Sequence, residues 1–192
     1  LHSYDRLTPS LESNDWFPYA KQMAYVQNSL YGLPFAGDAL VLVYRQGVLK
    51  ELPGDWSGFL ALNMPMIFPA ADPAALVTIA YYQARQGELL DSQGRPYLER
   101  RVLEAVLTDF ADAEEAGLMP YWLTQYQTDE QVWEALQQKR ADLAISWSSQ
   151  YLKDAAQELT LAPLPTPSSS LFTLASGWVW ALVEDDPTRQ AL

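Results

Sequence analysis

Cysteine is absent from this 192-residue sequence, and histidine occurs once, as His2. Without cysteine there is no disulfide framework, no thiolate metal site and no thiol nucleophile. A lone histidine at the extreme amino end leaves no credible Ser–His pair and removes most imidazole-based acid–base and metal chemistry. Cations are scarce as well: 12 Lys and Arg stand against 24 Asp and Glu, a formal net charge of −12. Nucleic acids and anionic membranes are recognised through cationic patches, so neither is an expected partner. No apolar run reaches the roughly 18 residues that a membrane-spanning helix needs.

Apolar and aromatic surface is abundant. Hydrophobic residues make up 49% of the chain, with 7 Trp, 11 Tyr and 6 Phe. That content excludes a disordered chain. The length suits one large domain or two small ones, and a chain of this size buries roughly 70% of its unfolded surface. Both ends read as cut from something longer. The chain opens Leu1-His2-Ser3-Tyr4, without an initiator Met or a signal peptide, and the helix expected after Asp186-Pro187 stops at Leu192 after about one turn.

Helices and strands are expected to alternate. A short helix is expected around 16–27. Tyr31-Gly32-Leu33-Pro34 reads as a turn before the near-continuous apolar run 39–45, which has the pattern of a strand buried on both faces. Trp56 starts a short helix, and 64–69 reads as a short strand. Asp72 as cap, Pro73 at the first helical position and Gly87 as terminator bracket a helix over 73–86. Val102, Leu103, Val106, Leu107 and Phe110 recur at helical spacing and predict a helix over 98–115 ended by Gly117. Its acidic residues Asp109, Asp112, Glu114 and Glu115 read as a solvated face. Thr128 and Gln131 form a capping box for a helix over 129–139. Strands are expected at 141–147 and 159–164, a helix at 150–157, a loop at 166–170 and a long apolar run at 171–183. The alternation argues an α/β layer architecture.

Several segments, in this order, resemble the carbohydrate-binding family of extracellular solute-binding proteins of bacterial ABC importers, the family that includes maltose-binding protein. They are Tyr31-Gly32-Leu33-Pro34 with the strand ending at Tyr44; the loop with Pro53 and Trp56; Ala135 to Trp147; Leu161-Ala162-Pro163-Leu164-Pro165; and Ser176-Gly177-Trp178 with the run to Val183 and Asp185-Asp186-Pro187. The resemblance spans roughly 16–192. The chain departs from the family pattern in four places: Arg45 stands where it has Asn, Lys139 where it has a helix-ending Gly, the Gly before the tryptophan is gone, leaving Ser146-Trp147, and the loop before the 73–86 helix carries Ala70, Ala71 and Ala74 where maltose-binding relatives have an aromatic that stacks on sugar.

The resemblance implies a periplasmic-binding-protein type II-like α/β lobe. On that basis residues 1–45 are the end of the first lobe and a hinge crossover strand, 46–165 the second α/β lobe, and 166–192 the return strand and the start of a first-lobe helix. It implies a substrate-binding component of an ABC transporter, outside the cytoplasmic membrane and often lipid-anchored. Such a protein holds a mono- or oligosaccharide in an inter-lobe cleft and delivers it to permease subunits, without catalysis, cofactor or metal.

A sugar site needs an aromatic face for ring C–H groups and polar side chains for hydroxyls. Trp147 after its strand and Trp178 at the hinge return are the implied aromatic faces. Ser146 and Ser148 flank the first of these, Phe35 and Asp38 lie at the crossover, and Asp72 precedes its helix. Trp180 reads as a hinge or core residue; Trp16, Trp122 and Trp133 read as core. The isolated chain is expected to self-associate through exposed apolar surface. The alternatives are a two-lobed binding or sensor protein for another solute, such as a peptide or a polyamine, the acidic balance fitting a cationic ligand such as the latter, and a glycoside hydrolase, for which no local motif singles out a carboxylate pair.

Overall fold

A computed structural model describes residues 1–4, 11, 15–154, 157–168 and 171–183. The chain divides into two compact units, Leu1–Asp38 with Ala175–Leu192, and Ala39–Leu174. The segment expected to start a helix at Asp186 lies outside the described residues.

In the smaller unit, α1 (Pro18–Ala24) is shorter than its expected span, with proline at its first position. Strands β1 (Tyr25–Val26) and β2 (Ser29–Leu30) form a hairpin with antiparallel register Tyr25↔Leu30. Its turn residues Gln27 and Asn28 both take positive φ, 49° and 67°, the signature of a turn whose twist matches paired strands. Leu11, Ala24 and Leu30 form a small core with Tyr4, Trp16, Tyr25 and Leu33 packed against it.

The strand β3 (Gly32–Arg45) runs through both units. It begins at Gly32, so the expected turn at 31–34 is strand instead. A Cβ on Gly32 would come within 2.8 Å of the Val179 side chain, so glycine there permits close approach to the last strand, β7 (Ala175–Ala181). β7 occupies only part of the 171–183 run and pairs with β3.

The larger unit is built on β3, β4 (Met66–Ile67), β5 (Leu143–Trp147) and β6 (Leu159–Ala162), in the order β4-β5-β3-β6. β5 runs parallel to β4, and β3 runs antiparallel to both β5 and β6. Leu42, Val43, Leu143, Ala144 and Ile145 are fully buried, which explains why these strands read as continuous apolar runs rather than alternating ones. Around the sheet lie α2 (Trp56–Leu60), α3 (Leu76–Ala84), α4 (Arg100–Glu115), a 3-10 turn at Tyr121–Gln125, α5 (Asp129–Gln137) and α6 (Ser148–Asp154). The Thr128–Gln131 capping box is present at α5, and Gly117 (φ +74°) follows α4.

Three local expectations are corrected. First, α3 starts at Leu76, after Ala75 in the left-handed conformation (φ 49°, ψ 40°), and not at Pro73. Second, Gln86 (φ 63°) takes the left-handed position expected of Gly87, whose role is steric: a Cβ there would lie 2.4 Å from the Tyr82 ring. Third, Asp109 is not on a solvated face. It is buried, and Arg85 from the end of α3 binds both of its oxygens, at 2.8 and 2.7 Å. Arg45 is also buried. Its guanidinium donates to Asp142 Oδ1 at 2.9 Å, to Glu158 Oε1 and to the Leu136 carbonyl at 2.7 Å.

Candidate functional site

Because β4 parallels β5, and both β5 and β6 oppose β3, the strands β4, β5 and β6 run the same way. Their carboxyl ends therefore lie at one edge of the larger unit, the edge at which α/β sheets generally bind ligands. The loop after β4 carries Asp72; β5 ends on Trp147, and Ser148 opens α6.

Trp147 is half-buried, packed against the core, and pairs with Leu40 across the sheet. The Ser148 hydroxyl oxygen accepts the Ala39 N–H at 3.1 Å, which ties the start of α6 to β3. Asp72 accepts the Ala74 N–H through Oδ1 at 2.9 Å and the Leu76 N–H through Oδ2 at 3.5 Å, so its carboxylate braces the approach to α3. Ser146 is fully buried, and its hydroxyl has no partner among the described residues. It is not presented to solvent, unlike a residue poised to bond a sugar hydroxyl. β5 is covered on both faces, so strand alternation alone does not place Ser146 outside.

The smaller unit holds the other three candidates. Trp178 is 53% exposed and Phe35 54% exposed. Trp180, two residues along β7 and read as a hinge or core residue, is 63% exposed, and its ring lies tilted against that of Phe35 with centroids 4.8 Å apart and planes at 31°. Asp38 is 7% exposed, so its carboxylate is withdrawn from solvent. The sequence candidates thus form two sets: Phe35, Asp38 and Trp178 in one unit, and Asp72, Ser146, Trp147 and Ser148 in the other. Trp133 is core as read, and Trp16 and Trp122 pack against the two cores.

The sequence reading missed one feature. A groove of about 580 Å³ in the larger unit is lined by residues 52–57, Phe59, residues 162–168 and Leu171. Its sequence signals are Trp56 and the proline spacing 163, 165, 167. Among the described residues, no group of three or more His, Asp or Glu is placed to hold a metal ion, and no helix is long and apolar enough to cross a membrane.

Comparison with known proteins assigns the fold and the family. The profile of the bacterial extracellular solute-binding protein family matches residues 5–191. The chain belongs to that family. No curated protein matches its sequence. Among solved structures, it is similar to maltose-bound MalE3 of T. maritima, with a TM-score of 0.70 and 19% identity over 85% of this chain and 48% of that one. A solute-binding protein of an ABC transporter from Thermotoga lettingae, bound with alpha-D-tagatose, gives 0.67 and 18% over 91% and 51%. The maltotriose-binding protein of Thermus thermophilus gives 0.69 and 17% over 100% and 55%. The chain therefore has a periplasmic-binding-protein α/β fold and spans about half the length of the solved structures it matches.

Proposed function

We propose that the chain forms part of an extracytoplasmic, non-catalytic solute-binding component of an ABC importer, which binds a mono- or oligosaccharide in its inter-lobe cleft and passes it to membrane permease subunits. The observation that carries this reading is Trp147, an incompletely buried indole at the carboxyl end of β5, followed by a serine and set at the same sheet edge as Asp72. An indole beside acceptor groups suits a pyranose, whose C–H patches stack while its hydroxyls hydrogen-bond. Trp178 is the second stacking face in this reading. The sugars named in the solved relatives support the class of ligand.

The test is a calorimetric titration with mono- and oligosaccharides, using polyamines and amino acids as controls. The expected result is saturable, metal-independent binding of a sugar that is recovered unchanged, weakened by Trp147→Ala. Stacking of this kind contributes about 0.5–1.5 kcal/mol, so the affinity should fall roughly two- to tenfold. Binding of the controls alone, or conversion of the sugar to product, would overturn the assignment.

A further inference from the structure

The groove beside α2 has a chemistry of its own. It shares no lining residue with the Asp72, Trp147 and Ser148 edge. Its far wall follows β6, which β3 separates from β5. Its volume of about 580 Å³ lies within the range of small-molecule sites, roughly 300–1,000 Å³.

The wall is rich in acceptors: the Asp55 carboxylate and the carbonyls of four prolines. Pro53, Pro163, Pro165 and Pro167 all line it, and proline has no backbone N–H. They offer carbonyl oxygens and C–H surface only. The hydroxyl donors are engaged locally: Ser57 Oγ donates to Asp55 Oδ1 at 2.8 Å, and Thr166 Oγ1 donates to the Ser168 carbonyl at 3.2 Å. Asp55 Oδ1 also accepts the Gly58 N–H at 2.8 Å. The Gly58 amide first, and the Ser57 hydroxyl second, hold the Asp55 carboxyl below its ordinary value, so it is anionic at neutral pH. Asp55 is exposed at the groove. The neighbouring Trp56 ring is anchored against Tyr81, with centroids 5.7 Å apart and planes at 84°.

An anion would meet the Asp55 carboxylate, whereas a cation is complementary to it. A cation that brings its own donors satisfies the wall, and an apolar tail satisfies the proline, Leu52, Leu164 and Leu171 surface. We propose that this groove binds an organic ammonium ion with an apolar tail, its head held by the Asp55 carboxylate and the Trp56 ring and its tail lying along the proline wall. Charge-assisted hydrogen bonding and cation–π attraction are the recognising interactions. The groove's lining residues are distinct from Asp72, Trp147 and Ser148, and its far wall leaves the same sheet edge from β6.

The probe is hexylammonium chloride, titrated into the 15N-labelled chain and followed at the Trp56 indole N–H, which is assigned by its loss in Trp56→Leu. Hexanol and hexanoate are the controls. Hexylammonium is expected to shift the signal saturably, hexanol to bind about tenfold more weakly and hexanoate not at all. Asp55→Asn keeps a good helix-capping residue and should weaken hexylammonium about tenfold. Leu171→Ala, at a largely exposed position lining the groove, should weaken it about threefold through lost apolar contact and serves if the Asp55 variant fails to fold. The absence of a saturable shift, equal binding of hexanol and hexylammonium, or binding indifferent to whichever of these variants folds overturns the proposal.

Discussion

Arg85 grips Asp109 through two parallel hydrogen bonds, Nε to Oδ2 at 2.8 Å and Nη2 to Oδ1 at 2.7 Å. The pair joins the end of α3 to the middle of α4, and the carboxylate is almost enclosed. Asp109→Ala leaves the guanidinium without its partner and should cost about 2 kcal/mol, less than a fully buried pair because Arg85 keeps some solvent contact. Arg85→Lys should not restore the loss, since an ammonium cannot form the two-point fork. Urea denaturation checks both, through a lower midpoint at unchanged slope.

Gly87 should be intolerant and Gly47 tolerant. A Cβ on Gly87 meets the Tyr82 ring at 2.4 Å, while one on Gly47 meets nothing within 4 Å. The Tyr82 ring is not free to retreat: its hydroxyl donates to the Glu88 carbonyl at 2.9 Å and accepts the Glu99 N–H at 2.7 Å. Gly87→Ala should destabilise by about 2 kcal/mol, and Gly47→Ala should stay within about 0.5 kcal/mol of the native chain. Thermal unfolding of the two variants side by side is the measurement.

The opposite change should help at Ala75. Its left-handed backbone is strained for an L-residue, and its side chain is exposed. Ala75→Gly relieves that strain but frees the unfolded chain, for a net gain of about 0.5 kcal/mol. Lys139 is left-handed too, at φ 59°, although the resembling family has glycine there. Its gain on Lys139→Gly should be smaller, because the contact of its ammonium with Glu158 is lost. Denaturation midpoints above the native value are the expected outcome for Ala75→Gly.

Stability should fall on acidification. Hydrogen bonds from Gly58 and then Ser57 hold Asp55 below the ordinary aspartate value of 3.8. For Asp91 the lowering comes first from the Arg95 amide and then from its side chain. Glu130, at the start of α5, is held below 4.5 by its own backbone N–H and then by the Thr128 hydroxyl. Each folded-state value lies below the unfolded one. The stabilisation is therefore complete above the ordinary values of 3.8 and 4.5 and is lost as pH falls through the lowered folded values. Urea midpoints measured from neutral pH down to about pH 3 should decline across that window, and less steeply in Asp91→Asn.

The sequence was most readable where one physical demand acted alone. The 39–45 run could only be a buried strand, and Thr128 with Gln131 could only cap a helix. It was least readable where two demands competed. Asp72 does brace its turn, but a left-handed Ala75 delays α3 by three residues beyond the proline. Asp109 sits among acidic neighbours, and its partner Arg85 is 24 residues away, a pairing that no local pattern reveals. At the site, the type of residue was legible and its exposure was not. Trp147 and Ser146 are adjacent in a strand covered on both faces, and only the packing shows that the serine is enclosed while the indole is not.

Arg45 draws together the Leu136 carbonyl, Asp142 and Glu158, which lie 91, 97 and 113 residues along the chain from it. A knot of such long span can tighten only after β3, β5 and β6 have found one another, because closing large loops is unrewarded before then. It acts as a latch on the native state rather than a seed for it. Severing it with Arg45→Ala should leave the refolding rate nearly untouched and speed unfolding, a split that stopped-flow kinetics would read directly.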